Sequence, residues 1–234
     1  MTAFYTPSLK EGLNTIEGNE AFHCSKVLRK REGDHCIVFD GGENYHKVAL
    51  KSVSNKQCTF EILETHNIPE QKIKLNIAIA PTKNIQRFEW FLEKATEMGV
   101  HKVMPIICER SERKHINRQR LEKIIISAAK QSGNYRLPEI KEMQSFTQLI
   151  ETTDTGDLNY IAHCSEGLPY IKEAFNDLSK ELTIFIGPEG DFSENEIERA
   201  MSKQFKGVSL GRSRLRTETA GVMSCALIYD KNQN

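Results

Sequence analysis

The pattern of apolar and polar residues divides the chain into two parts. Up to residue 64, apolar positions come in short runs with partial alternation, which is typical of half-buried strands. Asn19 is placed to cap a short helix that runs to about Leu28. This part is therefore predicted to be a small, mainly β unit, followed by a polar linker at 65–71. Its predicted strands are His35–Asp40, Tyr45–Val53 and Gln57–Glu64.

From Ile73 onward, short apolar runs alternate with helical stripes. Between the first two runs, apolar residues recur at helical spacing and predict one buried helix face: Phe88, Phe91, Leu92, Ala95 and Met98. Strands that alternate with helices favour a parallel α/β sheet. The predicted strands are Ile73–Ala80, Lys102–Cys108, Tyr160–Cys164 and Leu182–Ile186.

The last of these strands begins the stretch 182–220, which holds the main candidate site. The strand stops at the turn Gly187-Pro188-Glu189-Gly190, and Ser193 with Glu196 predicts a capping box at the start of a helix. A second short strand is predicted over 207–210. Gly211 then breaks it, and 212–219 leads into the last helix.

Ligands of open parallel sheets bind beyond the carboxyl ends of the strands. Glycines at these turns let the backbone approach a ligand and offer it N–H and C=O groups. Two ordinary strand-to-helix turns are the alternative interpretation of the same pattern.

Composition is that of an ordinary globular protein. The chain has 234 residues, 38% hydrophobic and 27% charged. No apolar run is long enough for a membrane span, and the first residues do not resemble a secretory signal, so we expect a cytoplasmic protein. The six cysteines lack metal-ligand spacing; we expect reduced, mostly buried thiols and no metal.

Charge is unevenly distributed although its sum is zero. Residues 71–144 carry 15 Lys and Arg against 8 Asp and Glu, whereas residues 145–234 carry 9 against 14. The middle third could therefore meet RNA phosphates. A solvated helix face is the plainer explanation of such a run.

Two motifs shift the balance between these interpretations. The sequence IGPEGDFSENEIE, followed by SLG and LRTETA, resembles the S-adenosylmethionine site of SPOUT methyltransferases and, more narrowly, the RsmE family. The resemblance implies S-adenosyl-L-methionine as cofactor and methylation of N3 of one uridine in 16S ribosomal RNA. It also implies a trefoil-knotted parallel-sheet α/β domain over 72–234, preceded by a small PUA-like β-barrel domain over 1–68 that binds RNA.

The partners implied are ribosomal RNA or the assembled small subunit, and a second copy of the chain in a homodimer. The cofactor contacts implied come from three strand ends: His163, Ile186, Gly187, Pro188, Glu189, Gly190, Ser209, Leu210, Gly211, Leu215, Arg216, Thr219 and Ala220. A lone histidine such as His163 is more often structural.

Methylation of N3 requires an unpaired base and the loss of the N3 proton. Arg216 is predicted to stabilise charge on the uracil oxygens or to bind phosphate. Glu218 is the predicted proton acceptor, although it could equally pair with Arg216 as a brace. Glu189 is the alternative acceptor.

RNA contacts are predicted in three places. FHCSKVLRKREGD resembles the signature of the PUA-like domain, and AAKQSGNYRLP resembles a family stretch with altered spacing. A plain surface turn and a helix end capped by Gly133 are the respective alternatives. The predicted contacts are Arg29, Lys30, Arg31, Arg110, Arg113, Arg118, Gln131 and Arg136.

One departure from the family concerns the last loop. The family pattern is L-G-x-R-I-L-R-x-E-T-A, but here Ser213 replaces its first arginine and Arg214 fills an apolar position. Arg212 and Arg214 are the two candidates to replace the missing charge.

Two other functions fit the sequence: another SPOUT RNA methyltransferase, for example one acting on transfer RNA, or a non-enzymatic RNA-binding protein. No dinucleotide or P-loop signature is present.

Overall fold

The computed structural model describes residues 1–153, 158–174 and 181–233. The chain forms two compact units: residues 1–70 with 126–137, and residues 71–125 with 138–234. The short segment 126–137 belongs to the first unit although it lies in the middle of the chain. We call the first the N-terminal unit and the second the catalytic unit, because the family resemblance implies that the second carries the reaction.

The N-terminal unit contains one sheet of five strands, all within its described residues, in the order β1-β3-β4-β5-β2. Its core includes Phe4, Val38, Leu50 and Phe60. The strands are β1 (Ala3–Tyr5), β2 (Thr15–Glu17), β3 (His35–Phe39), β4 (Asn44–Val53) and β5 (Gln57–Asn67). A 3-10 helix spans Pro7–Glu11, α1 spans Gly18–Phe22, and a π-helix follows at His23–Val27.

Three predicted strands of this unit are confirmed, but two boundaries were wrong. Strand β5 continues to Asn67, so residues 65–67 pair with β4 and are not linker. The predicted cap Asn19 lies inside α1, which begins one residue earlier, after Glu17. The reason is that the Gly18 N–H donates to the Lys56 carbonyl at 3.3 Å, which fixes the start of the helix against the β4–β5 turn.

The catalytic unit contains a parallel sheet, as predicted. Its described strands follow the order β12-β10-β11-β6-β7-β8, and β9 also pairs with β7. The strands are β6 (Lys74–Ile79), β7 (Lys102–Ile107), β8 (Glu139–Ile140), β9 (Gln144–Ser145), β10 (Leu158–Ala162), β11 (Glu181–Ile186) and β12 (Lys206–Val208).

The helices of this unit are α2 (Ile85–Glu97), α4 (Phe146–Thr152), α5 (Ile171–Ala174), α6 (Glu194–Ser202) and α7 (Thr217–Gln233). Helix α3 (Arg118–Ser132) begins in this unit and ends in the N-terminal unit. The predicted stripe of α2 is buried from Phe88 to Ala95, and Ser193 with Glu196 forms the predicted capping box of α6. Helix α7 begins at Thr217, earlier than expected. The trefoil knot stays a prediction.

Helix α7 packs closely on α2. A Cβ at Gly221 would lie 2.6 Å from the Phe91 ring, so the contact requires a glycine. This packing fixes the helix that follows the last candidate loop. Among the described helices, none combines the length and apolar character of a membrane span.

Candidate active site

Three neighbouring strands of the catalytic unit end in loops at the same edge of the sheet. Strand β10 lies between β12 and β11, and all three run parallel. Their carboxyl ends lead into residues 163–170, 187–193 and 209–216. These loops surround a cavity of about 530 Å³. The site therefore forms at the position where open α/β sheets bind ligands.

Most of the predicted cofactor residues lie in the wall of this cavity. The members of the predicted set that line it are His163, Ile186, Gly187, Pro188, Glu189, Ser209, Leu210, Gly211, Leu215, Arg216 and Ala220. Gly190 and Thr219 do not line it. Thr219 is exposed on α7, and the Gly190 carbonyl accepts a hydrogen bond from Arg110 Nη1 at 2.9 Å.

The turn after β11 is fixed by contacts from outside the turn. Glu189 Oε1 accepts from the Lys83 N–H at 2.9 Å, and Thr217 Oγ1 donates to the Gly187 carbonyl at 3.0 Å. A Cβ at Gly187 would lie 3.1 Å from the Phe192 nitrogen, so a larger residue would push the turn open. The Glu189 carboxylate thus holds the loop, and Glu189 also lines the cavity.

Asp191 connects the first two loops and was missed by the sequence analysis. Its backbone is left-handed, with φ of +64°, and its Oδ2 accepts from the Cys164 N–H at 3.0 Å. Both residues line the cavity. The only signal in the sequence was an aspartate directly after a glycine-rich turn, a position that tolerates this backbone conformation.

His163 lines the cavity as a packed, half-buried side chain. Its Nδ1 lies 2.9 Å from Ser165 Oγ, and its Nε2 would lie 3.0 Å from a Cβ at Gly207. Burial lowers the pKa of His163 below its usual value, so the ring is neutral at pH 7. His163 therefore contributes an uncharged ring to the wall of the cavity.

The last loop places three exposed arginines around the cavity: Arg212, Arg214 and Arg216. Arg214 Nη2 donates to the Glu189 carbonyl at 3.3 Å and so joins the last loop to the turn after β11. Within the described part of the chain, the Arg216 guanidinium has no hydrogen-bond or ion-pair partner. Arg216 is therefore available to a ligand.

Glu218 lies behind the wall of the cavity. It is only 7% exposed, does not line the cavity, and has its Oε1 3.8 Å from Arg87 Nε on α2. Its ion-pair partner is thus Arg87 and not Arg216. The other oxygen, Oε2, has no hydrogen-bond partner among the described residues.

The arginines of the segment 110–120 bind the protein's own groups. Arg110 donates to the Gly190 and Phe192 carbonyls at 2.9 and 3.1 Å. Arg113 donates to the carbonyls of Thr82 and Lys83 at 2.9 and 2.6 Å. Arg118 pairs with Glu122 and Glu142, and Arg120 with Glu89. All four arginines therefore have partners within the unit, and Arg118 and Arg120 are the two that pair with carboxylates.

The other predicted RNA contacts belong to the N-terminal unit. Arg29 and Arg31 are exposed, and Lys30 Nζ donates to the His35 carbonyl at 3.3 Å. Gln131 is exposed near the end of α3. Arg136 is half-buried and donates to the Ile68 carbonyl at 3.1 Å, which favours a structural contact.

Comparison with protein families gives two matches. The model of an RNA methyltransferase domain matches residues 69–229, and that of an RNA methyltransferase PUA domain matches residues 16–63. The first match includes all three loops of the cavity.

Individual relatives match over nearly the whole chain. Ribosomal RNA small subunit methyltransferase E of Bacillus subtilis is 31% identical over 92% of this chain and 88% of its own. The crystal structure of a probable rRNA-methyltransferase from Porphyromonas gingivalis is 37% identical, with a TM-score of 0.92 over 100% of this chain and 99% of that one.

A third relative, ribosomal RNA small subunit methyltransferase E from Neisseria gonorrhoeae, was solved bound to S-adenosyl methionine. It is 25% identical, with a TM-score of 0.86 over 99% of this chain and 98% of that one. By sequence and by fold, the chain belongs to the family of ribosomal RNA small subunit methyltransferase E.

Proposed function

We propose that this protein transfers the methyl group of S-adenosyl-L-methionine to N3 of a uridine in 16S ribosomal RNA. The observation that carries this proposal is the cavity enclosed by three strand-end loops, with the unpaired Arg216 in its wall. The family supports the reaction class, and the Neisseria relative supports the cofactor.

The residues of the cavity fit the cofactor. Its volume of about 530 Å³ lies within the usual range for small-molecule sites. Ile186, Leu210 and Leu215 offer apolar surface to a nucleobase, and the glycine-rich turns offer backbone groups. Asp191 and Glu166 supply negative charge, which suits a cationic ligand. When bound, the cofactor supplies a methyl group already activated on a sulfonium.

The role of the protein is then to orient the base and stabilise charge. As N3 gains the methyl group, it must lose its proton, and negative charge develops on the uracil oxygens. Arg216 is suited to stabilise that charge, because its guanidinium lines the cavity without an internal partner. Removal of one such donor typically lowers kcat by about 10²- to 10³-fold.

Glu218 stays the predicted proton acceptor, but its carboxylate lies behind the cavity wall. Its buried carboxyl touches Arg87, so a direct role requires access through the first turn of α7. Glu218→Gln keeps the size and shape of the side chain but removes its charge. It therefore separates a role as proton acceptor from a structural role as the partner of Arg87. An acceptor role predicts that this variant loses most of kcat at an unchanged Tm, whereas a structural role predicts a lower Tm and only a small loss of kcat.

The remaining assignments follow from the same proposal. The domain over 1–68 would hold RNA and the domain over 72–234 would carry the reaction, in the cytoplasm.

Homodimer formation is supported by α7: Val222, Met223 and Ala226 are partly or fully exposed, while Cys225 and Ile228 are buried. Core packing therefore does not account for the whole apolar surface of this helix.

The test is mass mapping of methylated nucleosides in 16S ribosomal RNA, free and in small subunits, after incubation with the protein and cofactor. We expect one new 3-methyluridine. Methylation of transfer RNA alone would favour a different substrate. Failure to bind the cofactor in calorimetry would favour a non-enzymatic RNA-binding protein.

A further inference from the structure

The N-terminal unit exposes large apolar side chains beside a run of cations. Phe22 is 52% exposed, Val27 58% and Leu28 37%. These residues surround the π-helix His23–Val27, and the segment continues through Arg31. We call residues 22–31 the basic-apolar segment. Exposed apolar residues clustered next to charge often mark an interaction site.

Buried residues hold this segment in place. Ala21 and Cys24 are fully buried in the core of the unit, so the opposite side of the helix faces solvent. The Leu28 N–H donates to the His23 carbonyl at 2.9 Å, which is the i+5 spacing of a π-helix. A π-helix has between four and five residues per turn, so residues four and five positions apart lie on the same side. Phe22, Lys26 and Val27 therefore share the exposed side. Single π-turns occur often at functional sites.

The backbone at Arg29 gives an independent indication. Arg29 has a φ of +53°, the left-handed region that disfavours a residue with a Cβ. Just after it, the Lys30 N–H donates to the Cys24 carbonyl at 3.0 Å, which closes the end of the helix. Glycine would fit this position more easily. An arginine in a strained conformation on an exposed turn indicates a functional use of its charge.

Three of the four Lys and Arg side chains of the segment are free to meet a partner; the fourth, Lys30, donates to the His35 carbonyl. Lys26, Arg29 and Arg31 are exposed, and residues 21–31 contain no acidic residue. Across the described ranges of the chain, the side chains of these three residues have no hydrogen-bond or ion-pair partner. This contrasts with Lys47 and Lys51 of the same unit, which pair with Glu64 and Glu61.

We propose that the basic-apolar segment binds an unpaired stretch of the RNA substrate, with one base stacked on Phe22 and phosphates bound by Lys26, Arg29 and Arg31. An exposed aromatic ring next to free cations is the arrangement that binds single-stranded RNA, whereas a duplex keeps its base faces covered. The inference rests on the proposed function, because it takes the partner to be RNA. It adds that the bound stretch is single-stranded.

The experiment measures binding of the full-length protein to a fluorescent 12-nucleotide oligouridylate and to an RNA duplex of the same length, at several salt concentrations. Phe22→Ala should weaken oligouridylate binding about 5- to 100-fold, the effect of losing one base–aromatic stack. Phe22→Tyr should preserve it. Leu13→Ala is the matched control, since Leu13 is a similarly exposed apolar residue of the unit, 48% exposed, and should change nothing.

Arg29→Gly separates binding from folding. Because glycine accepts the positive φ, this variant should keep or raise Tm while lowering the salt dependence of log Kd by about 0.7, the value for one phosphate contact on a single strand. Unchanged oligouridylate binding in Phe22→Ala, or equal losses for single strand and duplex, would overturn the proposal. The proposal would also be overturned if Phe22→Ala lost binding to anionic phosphatidylglycerol vesicles while its RNA binding stayed intact, because the segment would then bind a membrane surface.

These measurements do not depend on turnover. If the wild type binds oligouridylate through Phe22 but methylates no ribosomal RNA, the proposed function fails and this inference stands. If it methylates ribosomal RNA and Phe22→Ala binds normally, the reverse holds.

Discussion

Two arginine-rich segments of the catalytic unit differ in what their side chains bind. In the segment 110–120, Arg110 and Arg113 donate to backbone carbonyls, and Arg118 and Arg120 pair with glutamates. In the loop 209–216, the arginines line the cavity, and Arg216 has no partner among the residues described. The segment 110–120 contains more arginines, but all four bind other groups of the protein. The loop 209–216 contains three, and one of them, Arg216, lines the cavity with its guanidinium unpaired among the described residues.

This difference shows how an arginine can be used to build a site without touching the ligand. Arg110 and Arg113 hold the turn after β11 and the loop before α2, whose Lys83 N–H in turn binds Glu189. Their guanidinium groups orient the backbone around the cavity by donating hydrogen bonds to its carbonyls. Arg216 lines the same cavity as the turn that these two arginines hold.

Arg216→Ala should give the largest effect. Loss of a charge-stabilising donor should lower kcat by about 100- to 1,000-fold, with little change in cofactor affinity. Turnover on ribosomal RNA and calorimetry with S-adenosylmethionine measure the two quantities. Arg216→Lys is the control that keeps the charge without the fork, and it should recover part of the rate. Equal losses in rate and cofactor affinity would assign Arg216 to the cofactor pocket.

Arg113→Met tests the segment that the sequence assigned to RNA. It removes two charge-assisted hydrogen bonds to the carbonyls of Thr82 and Lys83. Such bonds contribute about 1.5–3 kcal/mol each, and a chain of this size loses about 2–4 °C in Tm per kcal/mol, so we expect Tm to fall by roughly 6–12 °C. The salt dependence of RNA binding should stay the same.

Arg113→Lys is the matched control for charge. If Arg113 holds the loop, this variant should lose stability as well, because an ammonium cannot reproduce the two directed bonds of the guanidinium. Full stability together with weaker RNA binding in Arg113→Met would return Arg113 to the RNA surface.

The sequence predicted the parts of this site that depend on local pattern. The β11 strand end, the glycine turn and the Ser193–Glu196 capping box follow from short-range residue preferences, and all are found. Strand β10 is also found, but it ends at Ala162, two residues before the predicted Cys164. Contacts between distant residues carry no such signal. Nothing local in the sequence indicates that Glu189 binds the Lys83 N–H, or that Glu218 faces Arg87 across two helices.

The same limit explains the charge prediction. Counting arginines in 110–120 gives their number, but their partners come from residues 82–83, 89, 142 and 190–192. Only the folded chain shows that these arginines already have partners within the protein. In the basic-apolar segment, Lys26, Arg29 and Arg31 have no side-chain partner among the described residues, although the charge density looks the same in the sequence.

Arg214→Ile should have a smaller effect than Arg113→Met. It restores the apolar residue of the family pattern and removes the 3.3 Å bond between the last loop and the Glu189 carbonyl. One exposed hydrogen bond contributes about 1 kcal/mol, so cofactor affinity should fall about 5-fold in calorimetry. The double variant Ser213→Arg with Arg214→Ile should recover it. Failure to recover would show that Arg214 does not replace the missing family arginine.

Arg118→Ala should give the smallest effect. Arg118 is exposed and its pairs with Glu122 and Glu142 are on the surface, where ion pairs contribute little. We expect Tm to change by about 1 °C or less, and RNA affinity to be unaffected. Glu142→Gln is the complementary variant, because it releases one partner of Arg118 without removing the arginine. If RNA competes with Glu142 for Arg118, Glu142→Gln should tighten RNA binding and Arg118→Ala should lower its salt dependence; that pair of results would show that a matched surface charge can still serve the substrate.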